Sequence, residues 1–305
     1  MTPPLILGIG EILWDLLPAG RQLGGAPANF AWHAAQLGAD ARVVSAVGDD
    51  ANGREVLARL SAMRLDASLI AVCPGRPTGT VTVALDASGQ PAYTIHENVA
   101  WDALTAGEAA LAAAARADAV CFGTLAQRTP AGRGAVQCLV AATRPDALRL
   151  LDINLRQHYW NLATIESSLR LANALKLNDE ELSVLARLLD LAGDEEMQLA
   201  ALAQRFDLRV VALTRGSRGS TLWHEGRCLT APGHAVAVVD AVGAGDAYSA
   251  ALALGLLAGL DTARILDLAQ RAGAFVCTRP GATPPLSARL RLAFASVAAR
   301  PARPP

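Results

Sequence analysis

The sequence predicts an α/β fold with a doubly wound, mainly parallel sheet flanked by helices, and three observations carry that expectation. Short apolar runs that suit strands buried on both faces recur at residues 5–10, 42–47, 119–123, 148–151, 174–177 and 210–213. Segments of helical pattern with short connections stand between them, which is the grammar of parallel strands joined by crossovers. One pair of strand patterns breaks the alternation: residues 78–85 and 92–96 are joined by Asp86-Ala87-Ser88-Gly89-Gln90, a hairpin-like link, and imply a small sheet projecting from the main one.

Composition narrows the class. The 305 residues include 52% hydrophobic and 18% charged side chains, so the chain is far from disordered composition and long enough to bury a large core. Its 27 basic and 28 acidic residues give a net charge of −1 with no block of like charge, which leaves no footprint for nucleic acid or an anionic membrane and points to a small-molecule partner. Cys73, Cys121, Cys138, Cys228 and Cys277 are odd in number and lack a Cys-x-x-Cys pair, so they read as buried apolar groups in a reducing compartment. The apolar run at 5–10 has no basic leader and is followed by Glu11 and Asp15; the expected location is the cytoplasm.

Along the chain, residues 5–10 form the first strand, and Gly8-x-Gly10 lacks the third glycine of a dinucleotide fingerprint, which weakens a dehydrogenase reading. Residues 11–18 alternate in part and stop at the turn Pro18-Ala19-Gly20. Gly24-Gly25-Ala26-Pro27-Ala28-Asn29 leads into a helix stopped by Gly38. His33 on that helix has no metal-ligand partner at i+4 and reads as incidental. A helix to about residue 63 follows Gly48-Asp49-Asp50, and helical patterns at 109–115 and 134–142 alternate with strands. Asp152, Asn154 and Arg156 stand at the carboxyl end of a strand, where ligands sit in parallel sheets. Asn178 and Glu181 open a helix to about residue 189 and have capping-box spacing. The strand at 210–213 runs into Thr214-Arg215-Gly216-Ser217-Arg218-Gly219, followed by a hairpin around Glu225-Gly226 and a helix at 261–278.

The stretch with the most chemistry is Asp240-Ala241-Val242-Gly243-Ala244-Gly245-Asp246, after a strand end at 236–239 and before an apolar helix at 247–260. Unpartnered N–H groups and the dipole of a helix start favour an anion, and two glycines let a ligand approach the backbone. Asp246 then falls in the first turn, a carboxylate beside an anion site.

This stretch resembles the signature Asp-Thr-x-Gly-Ala-Gly-Asp of the ribokinase/PfkB family of sugar kinases, with Ala241 in the usual place of Thr. The motif at 24–29 is similar to that of the fructokinase-like branch, the motif at 178–181 resembles the family's Asn-x-x-Glu, and both stand in the family order. The resemblance implies a ribokinase-like fold over the single domain 1–305, with a β-sheet lid formed from about 11–23 and 75–100. It implies ATP-dependent phosphorylation of a primary hydroxyl, with Asp246 as base and the Gly243, Ala244 and Gly245 amides as anion hole. Asp15, Gly24, Gly25 and Asn29 would bind the sugar; Asn178, Thr214, Gly216 and Gly219, with Gly243 and Gly245, would bind ATP. Glu181 would orient Mg²⁺ through water, and Asp240 with the loop at Gly281-Ala282 would serve a monovalent cation such as K⁺. Asp152, Asn154 and Arg156 would line the site. On the lid, Tyr93, Ile95 and Trp101 either face the sugar or pack on one another, and an exposed lid edge could pair two copies into a homodimer.

The motif forms favour fructose, with ribose, 2-keto-3-deoxygluconate and adenosine left open. The alternative of another class is a sugar- or nucleotide-sensing protein on the same fold. No P-loop, protein-kinase set, Gly-x-Ser-x-Gly, His-Glu-x-x-His or His/Cys cluster occurs, which removes other kinase designs, hydrolases and zinc enzymes.

Overall fold

The computed structural model describes residues 2–18, 20–85 and 91–298; the expected hairpin link at 86–90, and Ala19 in the expected Pro18–Gly20 turn, lie outside them. Thirteen strands are described, nine of them in one sheet. The first half supplies β1 (Leu5–Ile9), β2 (Leu13–Leu17), β3 (Gly20–Gly24), β4 (Asp40–Gly48), β5 (Ile70–Cys73), β6 (Gly79–Leu85), β7 (Pro91–Ile95) and β8 (Ala119–Phe122). The second half supplies β9 (Leu148–Asp152), β10 (Ala174–Asn178), β11 (Val210–Thr214), β12 (Ser220–His224) and β13 (Arg227–Ala231). The helices are α1 (Ala26–Gln36), α2 (Ala51–Ala62), α3 (Glu108–Ala114), α4 (Pro130–Ala141), α5 (Leu162–Leu171), α6 (Asp179–Leu189), α7 (Glu195–Phe206), α8 (Ala244–Leu257), α9 (Thr262–Cys277) and α10 (Ala288–Ala298).

The large sheet runs β13-β12-β11-β10-β9-β8-β1-β4-β5, parallel from β11 to β5 and antiparallel at the β12 and β13 edge. The chain leaves β1 toward β4 and β5, then returns to β8 on the other side of β1 and continues outward. That reversal opens a crevice at the carboxyl ends of the strands, where such folds bind ligands.

Strand alternation divides the core between the two faces. Leu7, Ile9, Val120, Phe122, Leu175 and Leu177 pack with Leu139, Ile165, Leu185 and Leu199 of α4 to α7. Ile6, Val43, Cys121, Leu150 and Ala212 pack on the other face with Phe30, Leu252 and Leu268 of α1, α8 and α9. Local chemistry fixes the helix starts: Asp50, Thr129, Asn178 and Asp261 each accept an N–H from the first turn of their helix.

The second sheet has the order β3-β2-β6-β7, with β2 and β6 parallel and its other pairs antiparallel. Its apolar side chains join both cores, Leu13, Val81 and Ile95 on one and Trp14 and Leu23 on the other. Trp14 Nε1 donates to the Asn52 carbonyl at 3.1 Å, and Arg21 pairs with Glu55, which fastens the sheet to α2. Gln157 Nε2 donates to the Tyr93 carbonyl at 2.6 Å and Tyr159 Oη to the Ile95 carbonyl at 3.0 Å, which fastens β7 to the loop after β9.

Four expectations change. Of the five cysteines read as buried, only Cys121 is buried; Cys138 is exposed and Cys73, Cys228 and Cys277 are half-buried. Residues 236–239 form no strand: β13 is already the sheet edge, and the segment instead bonds Val239 N to the Cys277 carbonyl at 2.8 Å, leaving Val238 65% exposed. Helix α8 begins at Ala244, three residues before the start of the apolar run, because Gly243 turns the chain into it. Trp101 lies outside the small sheet, fully buried with the Arg128 guanidinium 4.0 Å from its ring, while Tyr93 is exposed.

Candidate active site

Gly243 caps α8 with φ of +79°, and a Cβ there would come within 2.3 Å of the Ala282 carbonyl, so only glycine fits the turn. Ala244, Gly245 and Asp246 follow as the first helical residues, at the end of the helix that carries the positive dipole, and the Ala244 N–H donates to the Ala241 carbonyl at 3.3 Å. Asp246 is buried, and its Oδ2 accepts from Asn29 Nδ2 at 2.8 Å. Burial, then the charge of Asp152, pushes its carboxyl up to about 6, against the pull of the Asn29 bond, Lys176 and Arg156.

Asn29 reaches Asp246 because the Gly25 cap starts α1 beside the end of β1. A Cβ on Gly25, at φ of +108°, would strike the Glu11 carbonyl at 2.4 Å, so its close approach is to Glu11. A Cβ on Gly24 would likewise meet Asp15 Oδ2 at 2.3 Å, which sets Asp15 and Gly24 together on neighbouring strands of the small sheet. Burial raises the Asp15 carboxyl to about 6. Beyond β9, Asn154 takes φ of +43°, and its Oδ1 accepts from Arg156 Nη2 at 2.8 Å. Asp152 is buried between Lys176 Nζ at 3.0 Å and Ser249 Oγ at 2.8 Å.

On the other side of the turn, a cavity of about 560 Å³ is walled by Thr214, Gly216 and Gly219 on one flank and Ala244, Gly245 and Tyr248 on the other. Val236, Val238 and Cys277 give it an apolar end, and its size is that of a ligand pocket. The proposed nucleotide residues Thr214, Gly216, Gly219 and Gly245 therefore share one space.

Asn178 and Glu181 form a complete capping box: Asn178 Oδ1 accepts from Glu181 N, and Glu181 Oε2 from Asn178 N, both at 2.8 Å. Glu181 Oε1 also accepts from Leu155 N at 3.0 Å, so both oxygens hold backbone amides. Among the described residues no three His, Cys, Asp or Glu side chains form a metal cage. Asp240 accepts from Val242 N at 3.0 Å and Gly281 N at 2.9 Å, and the Ala282 carbonyl accepts from the His33 ring, so these bonds fix the loop at Gly281-Ala282 beside the turn.

Three buried groups add to the site the sequence indicated. His33 is fully buried with Nε2 2.9 Å from the Ala282 carbonyl, and burial lowers its pKa to about 4, so the neutral ring donates that bond. It is a link to the turn, not incidental; the available signal was its place one helical turn after Asn29. Glu11 lies buried with Oε2 unpartnered, and burial raises it to about 7 beside Arg156 and Asp246. Lys176 is the third, and a lysine inside the apolar run Ala174-Leu175-Lys176-Leu177 was a visible anomaly.

The pfkB family carbohydrate kinase model matches residues 19–289. The chain is 30% identical to the fructokinase of Escherichia coli over 301 residues, covering 93% of this chain and 96% of that one. It is 32% identical to the fructokinase of Klebsiella pneumoniae over 295 residues, covering 90% and 93%. Among solved structures, a sugar kinase of Pyrococcus horikoshii in complex with ATP is similar with a TM-score of 0.78 and 26% identity, covering 91% and 94%.

Proposed function

The chain belongs to the pfkB family of carbohydrate kinases, and from that premise we propose that it transfers the γ-phosphoryl group of ATP to a primary hydroxyl of a small sugar, with fructose as the favoured acceptor. One observation carries the reading: Ala244 and Gly245 line the 560 Å³ cavity while the next residue, Asp246, is the buried carboxylate held by Asn29. A terminal phosphate at the turn and a hydroxyl at Asp246 would then meet at one helix start.

In this reading Asn29 orients Asp246, which is ionised above pH of about 6 and takes the proton of the attacking hydroxyl. The Gly243, Ala244 and Gly245 amides stabilise charge on the transferring group. Asp15 and Gly24 bind sugar hydroxyls from the small sheet, which serves as the lid that excludes water. Arg156, with Asn154 holding its guanidinium, lines the same space. Asn178, Thr214, Gly216 and Gly219 hold the nucleotide. Glu181 would orient Mg²⁺ through water, and the bound ion would supply charge neutralisation on the nucleotide phosphates. K⁺ at Asp240 belongs to the reading only through the family resemblance. The fructose preference is supported by the relatives named fructokinase; ribose, 2-keto-3-deoxygluconate and adenosine complete the set to be tested.

The test is ADP release from Mg·ATP across fructose, ribose, glucose, 2-keto-3-deoxygluconate and adenosine, run in K⁺ and in Na⁺. Fructose-dependent ADP is expected, and Asp246→Asn is expected to lower turnover by roughly 10²-fold or more while sugar binding persists. A near-normal rate in that variant removes Asp246 from the chemistry. Binding of sugar or ATP with no ADP from any acceptor favours a sensor.

A further inference from the structure

The end of α8 contains a charge that ordinary helix electrostatics does not explain. Lysine side chains favour the C-terminal end of a helix, where the dipole is negative. Lys176 does the reverse: it rises from β10, and a Cβ added to Gly245 would lie 2.9 Å from its Nζ, which sets the ammonium against the N-terminal turn of α8. It is buried at 6% exposure on the sheet face that its alternation would otherwise fill with an apolar side chain. Its neighbour in register is Asp152 of β9, whose Oδ1 is 3.0 Å from Nζ and whose Oδ2 accepts from Ser249 Oγ at 2.8 Å. Sheet and helix thus clamp one ammonium beneath the turn.

A buried charge pair of this kind adds little to stability compared with an apolar pair of similar volume. Asp152, Glu181 and Asp246 hold Lys176 in its charged form, and an anion at the turn would meet the ammonium and the helix amides together in a site shielded from water.

We propose, on the premise of the phosphoryl-transfer reading, that Lys176 is a positioning residue of that step: held by Asp152 and Ser249, it makes the Gly243–Gly245 turn more positive toward the terminal phosphate. It does so through Gly245, without lining the nucleotide cavity. The groups facing Lys176 are Asp152, Glu181 and Asp246, with Cys121 and Tyr248 beside it. Those facing Asp246 are Asp152, Lys176, Asn29, Arg156 and Glu11, so Lys176 and Asp152 act on the base with opposite sign.

The experiment compares Lys176→Met, Asp152→Asn and the double variant with the wild-type chain. The double variant removes the Lys176–Asp152 pair without stranding either partner, and its melting temperature should stay near wild type. Its kcat should fall by about tenfold or more with the sugar KM within about threefold, and it should lose affinity for the non-hydrolysable analogue AMP-PNP while keeping affinity for ADP. The acid limb of kcat/KM should move to higher pH in Lys176→Met and to lower pH in Asp152→Asn, a sign reversal that damaged packing alone would not produce. A double variant with wild-type kcat and wild-type AMP-PNP affinity overturns the proposal, as do single variants whose limbs shift the same way. If the wild-type chain makes no ADP from any acceptor, the kinase reading has failed, and the AMP-PNP and ADP affinities still decide the role of Lys176.

Discussion

Glu11 is a carboxyl enclosed at the junction of β1, α1 and α8, and its protonation is tied to the fold. Its folded pKa of about 7 lies above the ordinary 4.5, so the folded state holds the proton over a range where the unfolded chain has lost it. Its stabilising contribution is therefore complete below about pH 4.5 and is lost as pH rises through 7. Asp15 and Asp246 act in the same direction over a narrower range, whereas His33, lowered to about 4, costs stability as pH falls from 6.5 through 4. Glu11→Gln keeps an acceptor and removes the titration. Between pH 5 and pH 8 the variant is expected to gain about 1–3 kcal/mol relative to wild type, read by thermal melts at both values. Parallel curves for the two proteins would separate Glu11 from the pH dependence.

At the scale of the element, α1 does two jobs from one face. Asn29 grips Asp246, and His33, one turn later, grips the Ala282 carbonyl that backs Gly243. His33→Leu leaves that carbonyl without its donor and is expected to cost about 1–3 kcal/mol in chemical denaturation and to lower turnover; His33→Gln, which keeps an N–H, should recover part of both. Equal losses in the two variants would show that ring shape, not the donor, matters. The limits of sequence reading are visible on the same scale. The alternating strands, the start of α1, the capping box and the turn before α8 were legible because each depends on neighbours in the chain. The absent strand at 236–239 was not, because a valine run can bond across to the end of α9 once the sheet edge is filled. His33 and Lys176 were missed because their partners, Ala282, Asp152 and Gly245, stand far away in sequence. Helices α5, α7 and α10 and strand β5 carried weaker local patterns and were not anticipated.

For the whole molecule, the two cores share one sheet, and the small sheet contributes to both of them. Calorimetry is expected to show a single endotherm whose van't Hoff and calorimetric enthalpies agree, with the small sheet melting alongside the body. A separate early transition, removed when residues 78–95 are deleted, would make it an independent unit.

The bonds that complete the site join the two ends of the chain: Asn29 with Asp246, and His33 with Ala282. During synthesis Asn29 and His33 leave the ribosome long before their partners exist, so α1 waits with its amide and imidazole unanswered. A message truncated before the codon for Ala282 encodes every strand of the large sheet but no finished turn at Gly243. Activity is therefore a late acquisition of the nascent chain, and an incomplete translation product is expected to be silent rather than a partly working or unregulated enzyme.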